Sequence, residues 1–311
     1  MREIKLDLHI GNCLNILQKL PDNHYHTCVT SPPYWGLRNY KNEEQIGLEE
    51  TPGEYVNSLV QVFKQVWRVL RDDGTVWLNL GDSYYNYRPS LGQAMPKQTV
   101  SKTGQDLPQS NPRRANKING LKEKDLVGIP WRVALALQED GWYLRQDIIW
   151  HKPNPMPESV KDRCTKAHEY IFLLSKKPHY YFDNEVIKEM ATDWGTRDRV
   201  NGKYHNEGTG LQPHSGLEKS YEKRNKRSVW SVCPSAYKEA HFAVFPEELI
   251  TPCILSGSPK YGNVLDPFGG SGTVGLACKR HKRNVTLIEL NPDYEQFIRS
   301  RYKEPVQDLL V

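Results

Sequence analysis

Residues 264–275, Val-Leu-Asp-Pro-Phe-Gly-Gly-Ser-Gly-Thr-Val-Gly, read as a strand end, a glycine-rich turn and a helix start. Gly270, Gly272 and Gly275 take the spacing GxGxxG, and Glu289 closes the strand Val285–Glu289 that follows. Glycines let backbone approach a ligand closely, and a helix N-terminus offers free N–H groups to an anionic group. An acid at the tip of the next strand can accept hydrogen bonds from ribose hydroxyls. Only residues 274–311 follow the turn. That is too little chain to complete a nucleotide-binding sheet, so the remaining strands must come from upstream. Asp266 at the strand tip would repel a pyrophosphate and attract a cationic amino acid tail, which argues against a nicotinamide-dependent oxidoreductase.

The upstream chain supplies such strands. Ile4–Ile10, Thr27–Thr30, Thr75–Leu80, Tyr143–Trp150 and Tyr170–Leu174 read as strands. Cys13–Leu20, Glu54–Leu70 and Trp131–Glu139 read as helices, the second with apolar residues at helical spacing. Asp72-Asp73-Gly74 is expected to break that second helix before the next strand begins. Phe245–Leu255 is expected to be helical but interrupted by Pro252, and Thr273–Lys282 and Asp293–Tyr302 are expected helices. Strands alternating with helices imply an α/β fold with a mostly parallel sheet covered on both faces.

Two segments lack periodicity. Residues 86–125 carry eight Lys/Arg against three acids, an excess equal to the +5 of the whole chain. Residues 190–230 carry eight Lys/Arg against five acids. Long polar loops in a compact domain are usually functional, and basic ones fit contacts with a polyanion. No apolar run reaches membrane-spanning length. The charged start Met1-Arg2-Glu3 does not resemble a signal peptide. The six cysteines are scattered, with no CxxC pair, so neither a metal site nor a disulfide framework is expected, and a cytoplasmic setting is.

Ser31-Pro32-Pro33-Tyr34 directly follows the Thr27–Thr30 strand. Two prolines fix a stiff, extended loop at a strand's carboxyl end, where ligands sit in open α/β sheets. Such a loop can aim the Ser31 hydroxyl and the Pro32 carbonyl into one cavity and present Tyr34 as a flat stacking surface. An exocyclic amino nitrogen needs this set. Its lone pair is delocalised into the ring, and two acceptors on its N–H bonds draw it toward a tetrahedral, nucleophilic shape. Positioning and preorganised dipoles then supply most of the rate. A base inside a duplex must flip out to reach such a pocket.

At these residues the chain resembles the DNA amino-methyltransferases (N4-cytosine and N6-adenine methylases) in their circularly permuted β-class order. That family carries (D/N/S)PP(Y/F/W) near the N-terminus and DPFxGSGT near the C-terminus, here Ser31–Tyr34 and Asp266–Thr273. The resemblance implies a Rossmann-like, seven-stranded, mostly parallel methyltransferase sheet with inserted target-recognition loops. It implies S-adenosyl-L-methionine as cofactor, bound by Asp266, Phe268, Gly270, Ser271, Gly272, Thr273 and Glu289. Gly11-Asn12 resembles a segment near the cofactor adenine, with Asn12 in place of the usual aspartate. His241 and Phe242 resemble the segment that closes over the methionine end. The catalytic set is Ser31, Pro32, Pro33 and Tyr34. Residues 150–154 and 166–170 resemble strand ends lining the target-base side, with His151 and His168 as candidates.

The implied organisation places the catalytic, target-base half in 1–85 and 126–189, a basic insertion in 86–125, target recognition in 190–230 and the cofactor half in 231–311. The implied substrate is double-stranded DNA. A homodimer and a cognate restriction endonuclease are left open as partners. Serine at the first motif position is commoner in cytosine-N4 enzymes and aspartate in adenine-N6 enzymes. Cytosine N4 is therefore the expected target, with adenine N6 as the alternative. A non-catalytic nucleic-acid-binding module is disfavoured by the intact Ser31–Tyr34 motif.

Overall fold

The computed structural model describes residues 3–36, 42, 44–87, 113–114, 117–191, 222–234 and 245–303. In chain order its elements begin with β1 (Leu6–Ile10), α1 (Cys13–Leu17), β2 (Tyr25–Thr30), α2 (Pro52–Val69) and β3 (Leu70–Leu80). Two short strands, β4 (Asn86–Tyr87) and β5 (Arg113–Arg114), precede α3 (Ile129–Glu139), β6 (Tyr143–His151) and β7 (His168–Ser175). Another short pair, β8 (Glu189–Met190) and β9 (Lys223–Arg224), precedes β10 (Val229–Ser231) and α4 (Glu247–Gly257). The chain ends in β11 (Asn263–Asp266), α5 (Thr273–Arg280), β12 (Asn284–Glu289) and α6 (Tyr294–Lys303).

The main sheet runs β1-β12-β11-β2-β3-β7-β6-β10. All neighbouring pairs are parallel except those made by β7, which is antiparallel to both β3 and β6. Among the described residues the sheet thus has eight strands where seven are expected. The eighth, β10, pairs with the outer edge of β6 over three residues, too short to stand out at the end of a polar segment. As expected from the short chain after residue 273, β11 and β12 sit between β1 and β2, both from upstream.

Strand alternation divides the apolar residues between two cores. Cys28, Val76, Leu78, Leu265, Ile288, Phe172 and Leu174 pack with α1, α2 and α3 on one face. Their neighbours Val29, Trp77, Val264, Leu287, Ile171 and Leu173 pack with α4, α5 and α6 on the other. Helix α2 shows why such a layer forms. Tyr55, Leu59, Val62, Phe63 and Val66 fall on one stripe and are fully buried. Its start is set by Pro52 in the first turn and by a capping box between Thr51 and Glu54.

Two local expectations are corrected. Helix α2 ends at Val69, and Asp72-Asp73-Gly74 lies inside β3 instead of breaking the helix. The β2 partners step from Leu70 opposite Tyr25 to Thr75 opposite Thr27, so the intervening residues form a bulge that keeps the strand going. Helix α4 runs through Pro252 without ending. Proline at that point costs one intrahelical donor, and the turns around it are tied by Thr251 Oγ1 to the Glu247 carbonyl and Ser256 Oγ to the Pro252 carbonyl.

Candidate active site

The carboxyl ends of the parallel strands, with the amino end of antiparallel β7, bring the described sequence candidates to one rim. Strand β11 ends at Asp266, which is 1% exposed. Its Oδ1 accepts from the Thr30 hydroxyl at 2.6 Å and from the Phe268 N–H at 3.0 Å. Burial pushes the carboxyl up to about 7, against the pull of those two donors, with the Glu289 charge adding to the rise. One strand away, Glu289 ends β12. Its carboxylate accepts from the Gly270 N–H at 2.7 Å and the Asn291 N–H at 2.8 Å, and burial holds its pKa above the ordinary value.

Between them lies the turn 267–272. Gly272, at φ +78°, caps α5 in the left-handed region, and a Cβ there would stand 3.0 Å from Ile298 Cγ2. Gly270, at φ +49°, is different. Among the described residues a Cβ on it would meet only the Phe268 carbonyl, at 3.9 Å, so none of them closes this side of the turn. Ser271 is fastened from below by Arg301, whose guanidinium donates to its carbonyl at 2.6 Å and its hydroxyl at 3.1 Å. Ser271 Oγ and Thr273 Oγ1 lie 3.3 Å apart. The donor set fits S-adenosyl-L-methionine. A glycine cradle leaves room for it, a buried carboxyl poised to ionise suits its cationic methionine end, and a second carboxylate at the next strand tip suits its ribose diol.

Asn12 stands at the start of α1. Its side chain caps α1 by accepting from the Leu14 and Asn15 N–H groups at 3.0 and 3.3 Å. The Gly11 N–H before it donates to the Glu289 carbonyl at 2.8 Å, so the cap sits beside the cradle. His241 and Phe242 lie outside the described residues.

The Ser31–Tyr34 loop leaves β2, the neighbour of β11. The Tyr55 hydroxyl on α2 donates to the Pro33 carbonyl at 2.9 Å, which tethers the loop one residue beyond the Pro32 carbonyl. Ser31 is half-buried at the head of this loop. Tyr34 is half-buried, with its ring against Gly81 just past β3. A Cβ on Gly81 would fall 2.6 Å from Tyr34 Cε2.

At its tip Tyr34 enters a network in which Glu169, Lys152 and Lys166 come from the segments 166–170 and 150–154 expected to line the target-base side. None of the three is a named candidate there, and Asn79 comes from outside both segments. Its hydroxyl donates to Glu169 Oε2 at 2.6 Å and lies 3.2 Å from Asn79 Oδ1. Burial and the Glu169 charge push the phenol well above its ordinary value, so it stays a donor. Asn79 Nδ2 donates to Glu169 Oε2 at 3.3 Å and to the Tyr170 carbonyl at 3.0 Å. Lys152 donates to the other Glu169 oxygen and lies 4.3 Å over the Trp150 ring. Burial works to raise the Glu169 carboxyl, but Lys152, the Tyr34 hydroxyl and Lys166 outweigh it and hold the group below its ordinary value. Lys166 is itself lowered by burial and donates to the Asp82 carbonyl. His151 and His168 face other partners, Ser231 Oγ at 3.0 Å and the Tyr170 hydroxyl at 3.4 Å. The available signal for Glu169 is a carboxylate opening the otherwise apolar run 169–174.

Among the described residues no helix is long and apolar enough to cross a membrane, and no cluster of His, Cys, Asp and Glu forms a metal site. Most of the two basic segments lies outside the described residues. At the end of the second, Arg224 and Arg227 both pair with Glu189, at 2.9 and 2.6 Å.

The family model N6_N4_Mtase, DNA methylase, matches residues 25–300. The chain is 45% identical to the Type II methyltransferase M.Cfr9I of Citrobacter freundii over 290 residues, covering 91% of this chain and 83% of that one. It is 43% identical to M.SmaI of Serratia marcescens over 297 residues, covering 94% and 89%. The fold is similar to that of the cytosine-N4-specific PvuII DNA methyltransferase, with a TM-score of 0.64 at 19% identity over 98% and 89% of the two chains. It is also similar to a DNA modification methylase of Thermus thermophilus complexed with S-adenosyl-L-methionine, with a TM-score of 0.58 at 22% identity over 95% and 92%. The chain belongs to the N6/N4 DNA methylase family, the S-adenosylmethionine-dependent DNA amino-methyltransferases.

Proposed function

We propose that this enzyme methylates the N4 amino group of a cytosine flipped out of duplex DNA. The observation that carries the reading is the Thr30–Asp266 hydrogen bond. It joins the strand that launches Ser31–Tyr34 to the strand that ends at the cofactor cradle, so nucleophile and methyl donor meet at adjoining strand ends. S-adenosylmethionine supplies the electrophilic methyl group. Ser31 Oγ and the Pro32 carbonyl accept from the two amino hydrogens and localise the nitrogen lone pair, while Tyr34 stacks on the base. Asp266, Phe268, Gly270–Thr273 and Glu289 hold the cofactor.

Serine at position 31 supports cytosine over adenine, and the PvuII enzyme of similar fold is cytosine-N4-specific. The order of motifs, Ser31–Tyr34 before Asp266–Thr273, supports the permuted β-class arrangement. Residues 190–230 are the proposed target-recognition segment, with 86–125 as a second DNA-contacting loop. A restriction endonuclease of the same specificity is the proposed counterpart, since the relatives M.Cfr9I and M.SmaI are Type II methyltransferases.

The test is methyl transfer to unmodified genomic DNA followed by nucleoside mass spectrometry. N4-methylcytosine is the expected product. N6-methyladenine would overturn the base assignment, and no modified nucleoside would overturn the activity.

A further inference from the structure

We propose that Glu169 is a positioning residue for methyl transfer: its carboxylate, anchored by Lys152, holds the Tyr34 ring in the orientation against which the flipped base stacks. The inference rests on the reading that Tyr34 meets the target base.

Three strand ends converge on this contact. Tyr34 comes from the loop after β2, Asn79 from the end of β3, and Glu169 from the start of β7. The ring is held at three points. Gly81 backs one side so closely that a methyl group there would stand 2.6 Å from Cε2. The loop backbone is tied by Tyr55 to the Pro33 carbonyl and by the Gly36 N–H to the Gly47 carbonyl at 2.7 Å. Glu169 Oε2 then accepts a hydrogen bond from the phenol hydroxyl at the far tip, at 2.6 Å. Gly81 and the loop ties fix where the ring sits; the Glu169 bond fixes its tilt.

The chemistry of the tether points the same way. A buried carboxylate is costly unless paired on every side. A neutral acceptor would satisfy the phenol at less cost. Here a carboxylate is used, with Lys152 on one oxygen, Tyr34 and Asn79 on the other, and Lys152 in turn over Trp150. A charge-assisted bond to a carboxylate is shorter and stiffer than a neutral one. Stiffness is what a stacking platform needs, because an unoriented ring loses the gain from holding the reacting atoms in line.

A double-mutant cycle tests the inference on the full-length enzyme. Wild type, Tyr34→Phe, Glu169→Gln and the double variant are compared for kcat and KM on unmodified genomic DNA, with cofactor affinity by calorimetry. Each single variant should lower kcat on the order of tenfold or more while the cofactor Kd changes about twofold or less. The double variant should be no slower than the worse single, because both remove one bond. If the two losses multiply, or if Glu169→Gln keeps the wild-type kcat, Glu169 does not act through Tyr34 and the proposal is overturned. Should Glu169→Gln lose cofactor binding through misfolding, Glu169→Asp carries the same cycle, keeping the charge but withdrawing it by one methylene. Absence of transfer by the wild type would instead overturn the reading of function, and this inference with it.

Discussion

The Thr30 hydroxyl and Asp266 Oδ1 lie 2.6 Å apart in the middle of the sheet, one bond linking the strand that leads into the proposed base-presenting loop to the strand that leads into the proposed cofactor turn. Asp266 is raised to about 7 because burial penalises its charge more than Thr30 and the Phe268 N–H favour it. Near neutral pH it therefore sits between its two states.

A pH dependence of cofactor binding follows. Between the unfolded value near 4 and the folded value of about 7, the folded apoenzyme holds a proton that the unfolded chain has released. The stability from this group is thus full below the unfolded value and falls as pH rises through 7. A cationic amino group arriving beside Asp266 favours the carboxylate, so binding at pH 6 should expel this proton, and binding should tighten as pH climbs toward 7. Calorimetry in buffers of different ionisation heat reads the proton count. Release at pH 6 that fades by pH 8 is expected in the wild type and absent in Asp266→Asn, whose affinity should also be weaker. No release at pH 6 would mean that Asp266 does not face the charged end of the cofactor.

Replacing Thr30 by valine keeps the shape and removes the donor. Asp266 then loses the side-chain bond that lowers its pKa. Its carboxyl should rise further, so cofactor affinity at pH 7 should fall on the order of tenfold, and the release of protons should persist to higher pH. An affinity and proton count equal to wild type would show that the bond joins the two strands without tuning the carboxyl.

Much of this site is legible in the linear chain because its parts are local. Asp266, Gly270, Gly272 and Glu289 announce a strand, a turn, a helix and a second strand within 24 residues, and Pro32-Pro33 announces a stiff loop. What is not legible is made of single residues from distant strands. Glu169 reaches Tyr34 across 135 positions, and Asn79 does so across 45. In strands of apolar residues neither stands apart until β3 and β7 are placed side by side. The same limit explains the histidines. His151 and His168 flank the right strand ends, but alternation along β7 turns its next residue, Glu169, toward Tyr34. Strand β10 escapes notice because three residues carry no period, and β3 appears shortened because its bulge uses the residues of a turn.

Gly81 gives a steric test of the Tyr34 platform that leaves every hydrogen-bonding group in place. Alanine there needs about an ångström of space that Tyr34 occupies. The ring must tilt or the backbone must yield, at a cost of roughly 1–3 kcal/mol. Gly81→Ala should therefore lower kcat while cofactor affinity stays close to wild type, and thermal melting should show a moderate loss of stability. Wild-type turnover with an unchanged melting temperature would mean that the ring has freedom this packing denies.

Two glycines of the cofactor turn separate folding from binding. Both have positive φ, so alanine at either carries a backbone penalty of about 1–2 kcal/mol. At Gly272 the added methyl also presses on Ile298 Cγ2 at 3.0 Å, inside the core shared with α6. At Gly270 it meets no described residue closer than 3.9 Å, on the side where the cofactor is expected to lie. Gly272→Ala should therefore lower the melting temperature more than Gly270→Ala does. Gly270→Ala should weaken S-adenosylmethionine binding out of proportion to its effect on stability. Melting curves with and without the cofactor measure both at once, since a ligand that binds only the folded state raises the midpoint according to its affinity. For Gly270→Ala the cofactor-induced rise should shrink. If it matches wild type, the open side of Gly270 is not the cofactor's side of the turn, and the cradle must face the other way.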